Sequence, residues 1–202
     1  MKEIKVNIAG EEYTIIKCGT RFKLSILVSP EFPDFILIRR CTLEIMALIK
    51  SKSKSVRRFL ITGTPGVGKT VSIIEWLYLA LKGESKMLSF KYIIADLKTG
   101  CILFSQSPNG TWLEKWCRRT DFHIRGFADP NEVLYLYDAT FDKVPLLLPY
   151  CSVVFSSPNL RHFKEFINIS STNCKIYFTP TWRWDEIQAL YNASPPLHTV
   201  IS

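Results

Sequence analysis

The octapeptide Gly63-Thr64-Pro65-Gly66-Val67-Gly68-Lys69-Thr70 constrains the fold of this 202-residue chain more than any other stretch. It has the form Gly-x-x-x-x-Gly-Lys-Ser/Thr, a loop whose backbone N–H groups converge on phosphate oxygens between a strand and the N-terminus of a helix. Both neighbours are present. Arg58-Phe59-Leu60-Ile61-Thr62 reads as a buried strand, and Val71 to Leu81 as a helix apolar on nearly every side. The loop needs Gly63, Gly66 and Gly68 where a side chain would clash or φ must be positive. Lys69 is placed to neutralise the β- and γ-phosphates and Thr70 to ligate Mg²⁺, with Thr64, Pro65 and Val67 completing the cradle. The alternative is an incidental glycine-rich turn.

From Phe59 onward, apolar strands alternate with helical patterns. Strands are predicted at 59–62, 90–95, 101–105, 133–137, 152–156 and 175–179, and helices at 69–82, 111–119, 160–168 and 185–192. This alternation predicts a three-layer α/β domain with a mostly parallel central sheet covered by helices on both faces. Ahead of it, Ile4–Ile8 and Tyr13–Ile16 flank a turn at Ala9-Gly10-Glu11-Glu12, and a third run spans Phe22–Val28. The expected organisation is a β-rich extension over 1–35 and an NTPase domain over 36–202. Leu43, Ile45, Met46 and Leu48 predict a helix near 41–50.

A phosphate-binding loop needs a carboxylate on a neighbouring strand to hold the metal. Val133-Leu134-Tyr135-Leu136-Tyr137-Asp138 supplies an apolar strand ending in an acid, so Asp138 is the metal-binding candidate, against the alternative of an ordinary turn. Ala139 occupies the position where many such ATPases carry a water-polarising glutamate. Asp142, Glu165, Asp185 and Glu186 are further acids that sequence does not rank. The run Ser152 to Asn159 delivers small polar residues to the same sheet edge. Ser157 and Asn159 are candidates for contacting a γ-phosphate or, equally, for capping a helix from Leu160. At the end of the chain, Asp185 and Glu186 suit a helix N-terminus, and Arg183 either reaches the nucleotide or makes a rim ion pair.

The net charge of +8 favours polyanionic partners as well as solubility. Lys50, Lys52, Lys54, Arg57 and Arg58 read as a surface linker or a nucleic-acid patch. Trp112, Lys115, Trp116, Arg118 and Arg119 on the helix predicted at 111–119 read as core packing or a single-stranded nucleic-acid platform. The six cysteines and three histidines show no zinc-ligand or disulfide spacing, so reduced, partly buried thiols are expected. The longest apolar run, Val144–Phe155, is broken by Pro145 and Pro149 and is shorter than a membrane span, and no membrane partner is expected. Met1–Val6 lacks a secretory pattern, which predicts an intracellular, cytoplasmic or nuclear protein.

Several segments coincide with one family. Phe59 to Thr70, Leu134–Asp138, Ser156-Ser157-Pro158-Asn159 with Phe163-Lys164-Glu165-Phe166, and Trp182 to Ile187 resemble the NTPase module of Crinkler effectors and retrotransposon hot spot proteins. Ile36 to Cys41 resembles the segment preceding the loop in that family, so the resemblance covers about 36–193. It implies an ATPase-type domain of the additional-strand class that takes Mg·ATP, with the roles of Lys69, Thr70 and Asp138 as above and Ser157 or Asn159 near the γ-phosphate. It also implies coupling to a nuclease-like effector domain and delivery to a host-cell nucleus. Two departures stand out. Ala139 replaces the family's glycine, and only six residues follow Ala193-Ser194-Pro195-Pro196, so lid, arginine finger and effector domain are expected to be missing. A homo-oligomer would be one way to supply the arginine in trans. The expectation is therefore a protein that binds Mg·ATP and hydrolyses it slowly. The alternatives are a nucleotide switch without turnover, a small-molecule phosphotransferase, or a nucleic-acid-associated effector module.

Overall fold

A computed structural model describes residues 2–18, 34–82, 90–97, 100–124, 127, 129–139, 144–159, 163–168 and 174–194. In chain order the elements are β1 (Lys2–Ile8), β2 (Glu11–Lys17), β3 (Phe35–Ile38), α1 (Arg40–Lys52), β4 (Arg58–Thr62), α2 (Lys69–Leu81), β5 (Tyr92–Leu97), β6 (Gly100–Gln106), β7 (Trp112–Cys117), α3 (Asp121–Ile124), β8 (Val133–Asp138), β9 (Cys151–Phe155), α4 (Lys164–Asn168), β10 (Cys174–Phe178) and α5 (Trp184–Ala193). They form two compact units, Met1–Leu43 with Thr181–Ser202, and Glu44–Pro180.

The larger unit is built on a seven-stranded sheet in the order β10-β4-β9-β8-β5-β6-β7. The first five strands run parallel, β6 pairs antiparallel with β5, and β7 antiparallel with β6. Strands covered on both faces must be apolar at nearly every position. Accordingly, every residue of β4, β8 and β9 is buried. Strand β9 is interposed between β4, which leads into the loop, and β8, which ends in Asp138. That is the additional-strand order.

Helix α2 packs against β8 and β9, and Trp76 meets Phe155 edge-on at 5.8 Å. Register places Ile61, Phe155 and Asp138 in one row on that face of the sheet. The opposite face carries Leu60, Val154, Tyr135 and Tyr137, buried with Phe122, Phe163 and Phe166.

Residues 111–119 do not form the expected helix. They supply β7, the edge strand of a hairpin with β6. Trp112, Leu113, Trp116 and Cys117 do recur at helical spacing, but the turn at Ser107-Pro108-Asn109-Gly110 outweighs it. The Ser107 N–H donates to Thr111 O at 2.8 Å, and Gly110 takes φ 82°.

In the smaller unit, β1, β2 and β3 form an antiparallel sheet. Ala9 and Gly10 both take positive φ, as a two-residue hairpin requires. Tyr13, Ile15 and Leu37 pack with Ala189 of α5. The expected boundary at 35/36 therefore differs from what is found: Phe35–Ile38 pairs with β2, and α5 belongs to this unit rather than to the loop domain. The third strand expected at 22–28 lies outside the described residues. Among the described residues, no helix is long and apolar enough to cross a membrane.

Candidate functional site

The ladders of the parallel strands run on past their ends. Thr179 N–H donates to Thr62 O at 2.7 Å, Ser156 N–H to Ile61 O at 3.0 Å and Ala139 N–H to Phe155 O at 2.8 Å. The carboxyl ends of β10, β4, β9 and β8 are thus brought to one edge, where open α/β sheets bind ligands.

From β4 the chain turns at Gly63, where a Cβ would lie 2.8 Å from Thr179 O, so a side chain is excluded by the neighbouring backbone. Gly68 takes the left-handed conformation, φ 85°, and starts α2 with no side-chain cap. Gly68 thus offers no side-chain oxygen to the first N–H groups of α2, and a helix N-terminus of this kind favours an anion. The Lys69 ammonium reaches back over the loop and donates to Gly63 O and Thr64 O, each at 2.8 Å. Burial lowers its pKa from the usual lysine value, and the Asp138 carboxylate opposes that shift. Thr64, Pro65 and Gly66 are exposed, Gly68, Lys69 and Thr70 half-exposed, and Val67 is buried as the loop's anchor.

Asp138 is 4% exposed at the end of β8, on the sheet face that α2 covers and within electrostatic reach of Lys69. Lysine, threonine and carboxylate are thus gathered at one end of the loop. The donor set suits Mg²⁺, a hard cation bound through one or two protein oxygens plus substrate phosphates rather than a full protein cage.

A second buried acid, Asp96, is the penultimate residue of β5 and was not singled out by sequence, although Ile93-Ile94-Ala95-Asp96 repeats the apolar-run-plus-acid pattern of β8. Geometry separates the two. Asp96 is in register with Tyr137, on the face opposite α2, and its Oδ2 accepts from Arg119 Nε at 2.6 Å and from Tyr135 OH at 2.7 Å. Its charge is committed within the fold, whereas Asp138 stands beside the loop.

The other candidates divide. Ser157 is half-buried and Asn159 exposed just past β9, at the same edge. Ser156 is buried, and its hydroxyl donates to Ser157 O. Glu186 is held by Arg39 and Asp185 by Tyr13 and Arg183, so both carboxylates are engaged within the smaller unit, and Arg183 has the rim ion pairs, with Asp185 and Glu11. Asp142 and the side chain of Glu165 lie outside the described residues.

The basic segment is only partly a surface patch. Arg58 is buried over the Phe166 ring and Arg57 donates to Asn131, while Lys50 and Lys52 sit in the last turn of α1, where cations suit the helix dipole. Nor do the residues expected on one helix make a single platform. On β7 Trp112 and Trp116 share one face, Lys115 lies on the other, and Arg119 turns to Asp96.

The model of one family, DAP3 (mitochondrial ribosomal death-associated protein 3), matches residues 36–107. That span runs from β3 through the loop and α2 to the end of β6. It makes this part of the chain similar to a P-loop NTPase-related family, in agreement with nucleotide binding at a coarse level. The resemblance to Crinkler and retrotransposon hot spot proteins does not hold, and the effector role goes with it. A buried strand followed by a glycine loop is common to phosphate-binding proteins of many families, so it cannot choose among them. No curated protein and no solved structure matches the chain.

Proposed function

We propose that this chain binds ATP with Mg²⁺ at the loop Gly63–Thr70, as a three-layer P-loop NTPase module. The observation that carries the reading is the uncapped, left-handed start of α2 at Gly68 with Lys69 folded over the loop and Asp138 buried beside it. The loop N–H groups and the helix terminus bind the phosphates, and Lys69 contributes a point charge to the β- and γ-oxygens. Thr70 and Asp138 would hold the metal, which when bound supplies charge neutralisation between the β- and γ-phosphates. In this reading Ser157 or Asn159, just past β9, would contact the γ-phosphate.

Turnover is slow in this reading. Ala139 is fully buried directly after Asp138, so no carboxylate at that position orients a water. The same observation supports a second reading, a switch that binds nucleotide without hydrolysing it.

Radiolabelled ATP binding and phosphate release, measured on the wild type, Lys69→Ala and Asp138→Asn, separate these. Binding by the wild type, lost in Lys69→Ala and made Mg²⁺-independent in Asp138→Asn, supports the site. Equal binding by Lys69→Ala overturns it. Retention of intact ATP over many hours selects the switch.

A further inference from the structure

The edge hairpin places Cys101 of β6 directly opposite Cys117 of β7. Directly opposed residues of an antiparallel pair share a face, with Cα atoms about 4.5–5.5 Å apart, inside the roughly 4.4–6.8 Å that a disulfide spans. Cys101 is buried in the core on the face opposite α2, and half-buried Cys117 packs against that core. Among the paired strands this juxtaposition is particular to these two thiols: Cys151 stands opposite Leu134 and Cys174 opposite Arg58. β7 is an edge strand with β6 as its neighbour, so the small approach a bond requires disturbs no second ladder.

We propose that Cys101 and Cys117 form a thiol oxidation site that a peroxide converts into a cross-strand disulfide. Cys117, the more exposed, attacks the O–O bond as thiolate; it becomes a sulfenic acid and the other peroxide oxygen leaves as water. The Cys101 sulfur then attacks the sulfenic sulfur, the S–S bond forms and the sulfenic oxygen leaves as a second water. Two thiols and one hydrogen peroxide give one disulfide and two waters, the two electrons passing from sulfur to oxygen. Burial, with Asp96 directly across the strand, holds the Cys101 thiol well above its ordinary range. That leaves the more exposed Cys117 to meet the oxidant first, and the register of the hairpin sets Cys101 beside it for the second step. Arg119 follows Cys117 by two residues and bonds Asp96, so the disulfide would staple the corner that this ion pair already closes.

The test treats the full folded chain with hydrogen peroxide, blocks the remaining thiols, and maps the digest by mass spectrometry. The expected product joins the peptides of Cys101 and Cys117 with loss of two hydrogens and reverts with dithiothreitol. Cys117→Ser should yield no such product and keep Cys101 as a free thiol. Should that variant fail to fold, the wild type alone decides. Cys117 accumulating as sulfinic acid beside a free Cys101, a crosslink between other cysteines, or thiols that stay reduced would each overturn the proposal.

Discussion

At the residue scale, Lys69 spans the loop it would serve. Its ammonium satisfies Gly63 O and Thr64 O, and burial costs it part of its proton affinity. A lysine whose folded pKa is lowered keeps its charge below that pKa and loses it as pH rises through it. Nucleotide affinity should therefore begin to fall below the ordinary lysine pKa of 10.5. Lys69→Arg, permanently charged, should not show that alkaline loss even if its overall affinity is lower. Calorimetric titration with Mg·ATP across the alkaline range reads the difference, and parallel pH profiles for the two proteins would refute the role given to Lys69. Gly63 makes a steric prediction instead. Gly63→Ala puts a methyl 2.8 Å from a backbone oxygen that β10 holds in place, so the loop or the strand must move. The expected cost is about 1–3 kcal/mol in urea denaturation, and an unchanged midpoint would mean the contact relaxes freely.

At the element scale, the buried strands were readable and the edge was not. β4, β8 and β9 are covered on both faces, so their unbroken apolar runs leave no second interpretation. β7 has one partner and much exposed surface, so its pattern carries little information, and the helical spacing of its tryptophans misleads. The turn Ser107-Pro108-Asn109-Gly110 was the signal that identifies the hairpin. The loop of the candidate site was legible for a related reason, since its glycines answer to local backbone demands. The commitment of Asp96 was not legible, because Arg119 reaches it from 23 residues away. That contact supports its own prediction. Asp96 is buried and Arg119 partly exposed, so Asp96→Asn should destabilise by about 1–3 kcal/mol, discounted from a fully buried pair by solvent around the guanidinium. In a double-mutant cycle with Arg119→Gln the two losses should be less than additive. Full additivity would show that the contact contributes no coupling.

At the scale of the whole molecule, the smaller unit is assembled from both ends of the described chain. β1, β2 and β3 come before the loop domain in sequence and α5 after it. The apolar positions of α5, Ala189, Leu190 and Ala193, meet Tyr13, Ile15 and Leu37, and a buried ion pair fastens the same contact. Arg39 holds Glu186 through Nε at 3.2 Å and through a second nitrogen at 3.0 Å, donates to Thr181 O, and lies 4.4 Å from the Trp182 ring centre. Both side chains are nearly inaccessible. Removing one member leaves the other charge buried without compensation, so Glu186→Ala should cost about 3–5 kcal/mol. Replacing both, as Arg39→Met with Glu186→Leu, should cost less than either single change, because an apolar pair needs no desolvation of charge. Hydrogen exchange locates the effect: in Glu186→Ala, amides of β1, β2, β3 and α5 should lose protection, and the double variant should restore much of it. If exchange in these elements is unchanged by Glu186→Ala, the ion pair does not hold the unit together. If the double variant is worse than both single ones, the pair contributes more than its burial costs.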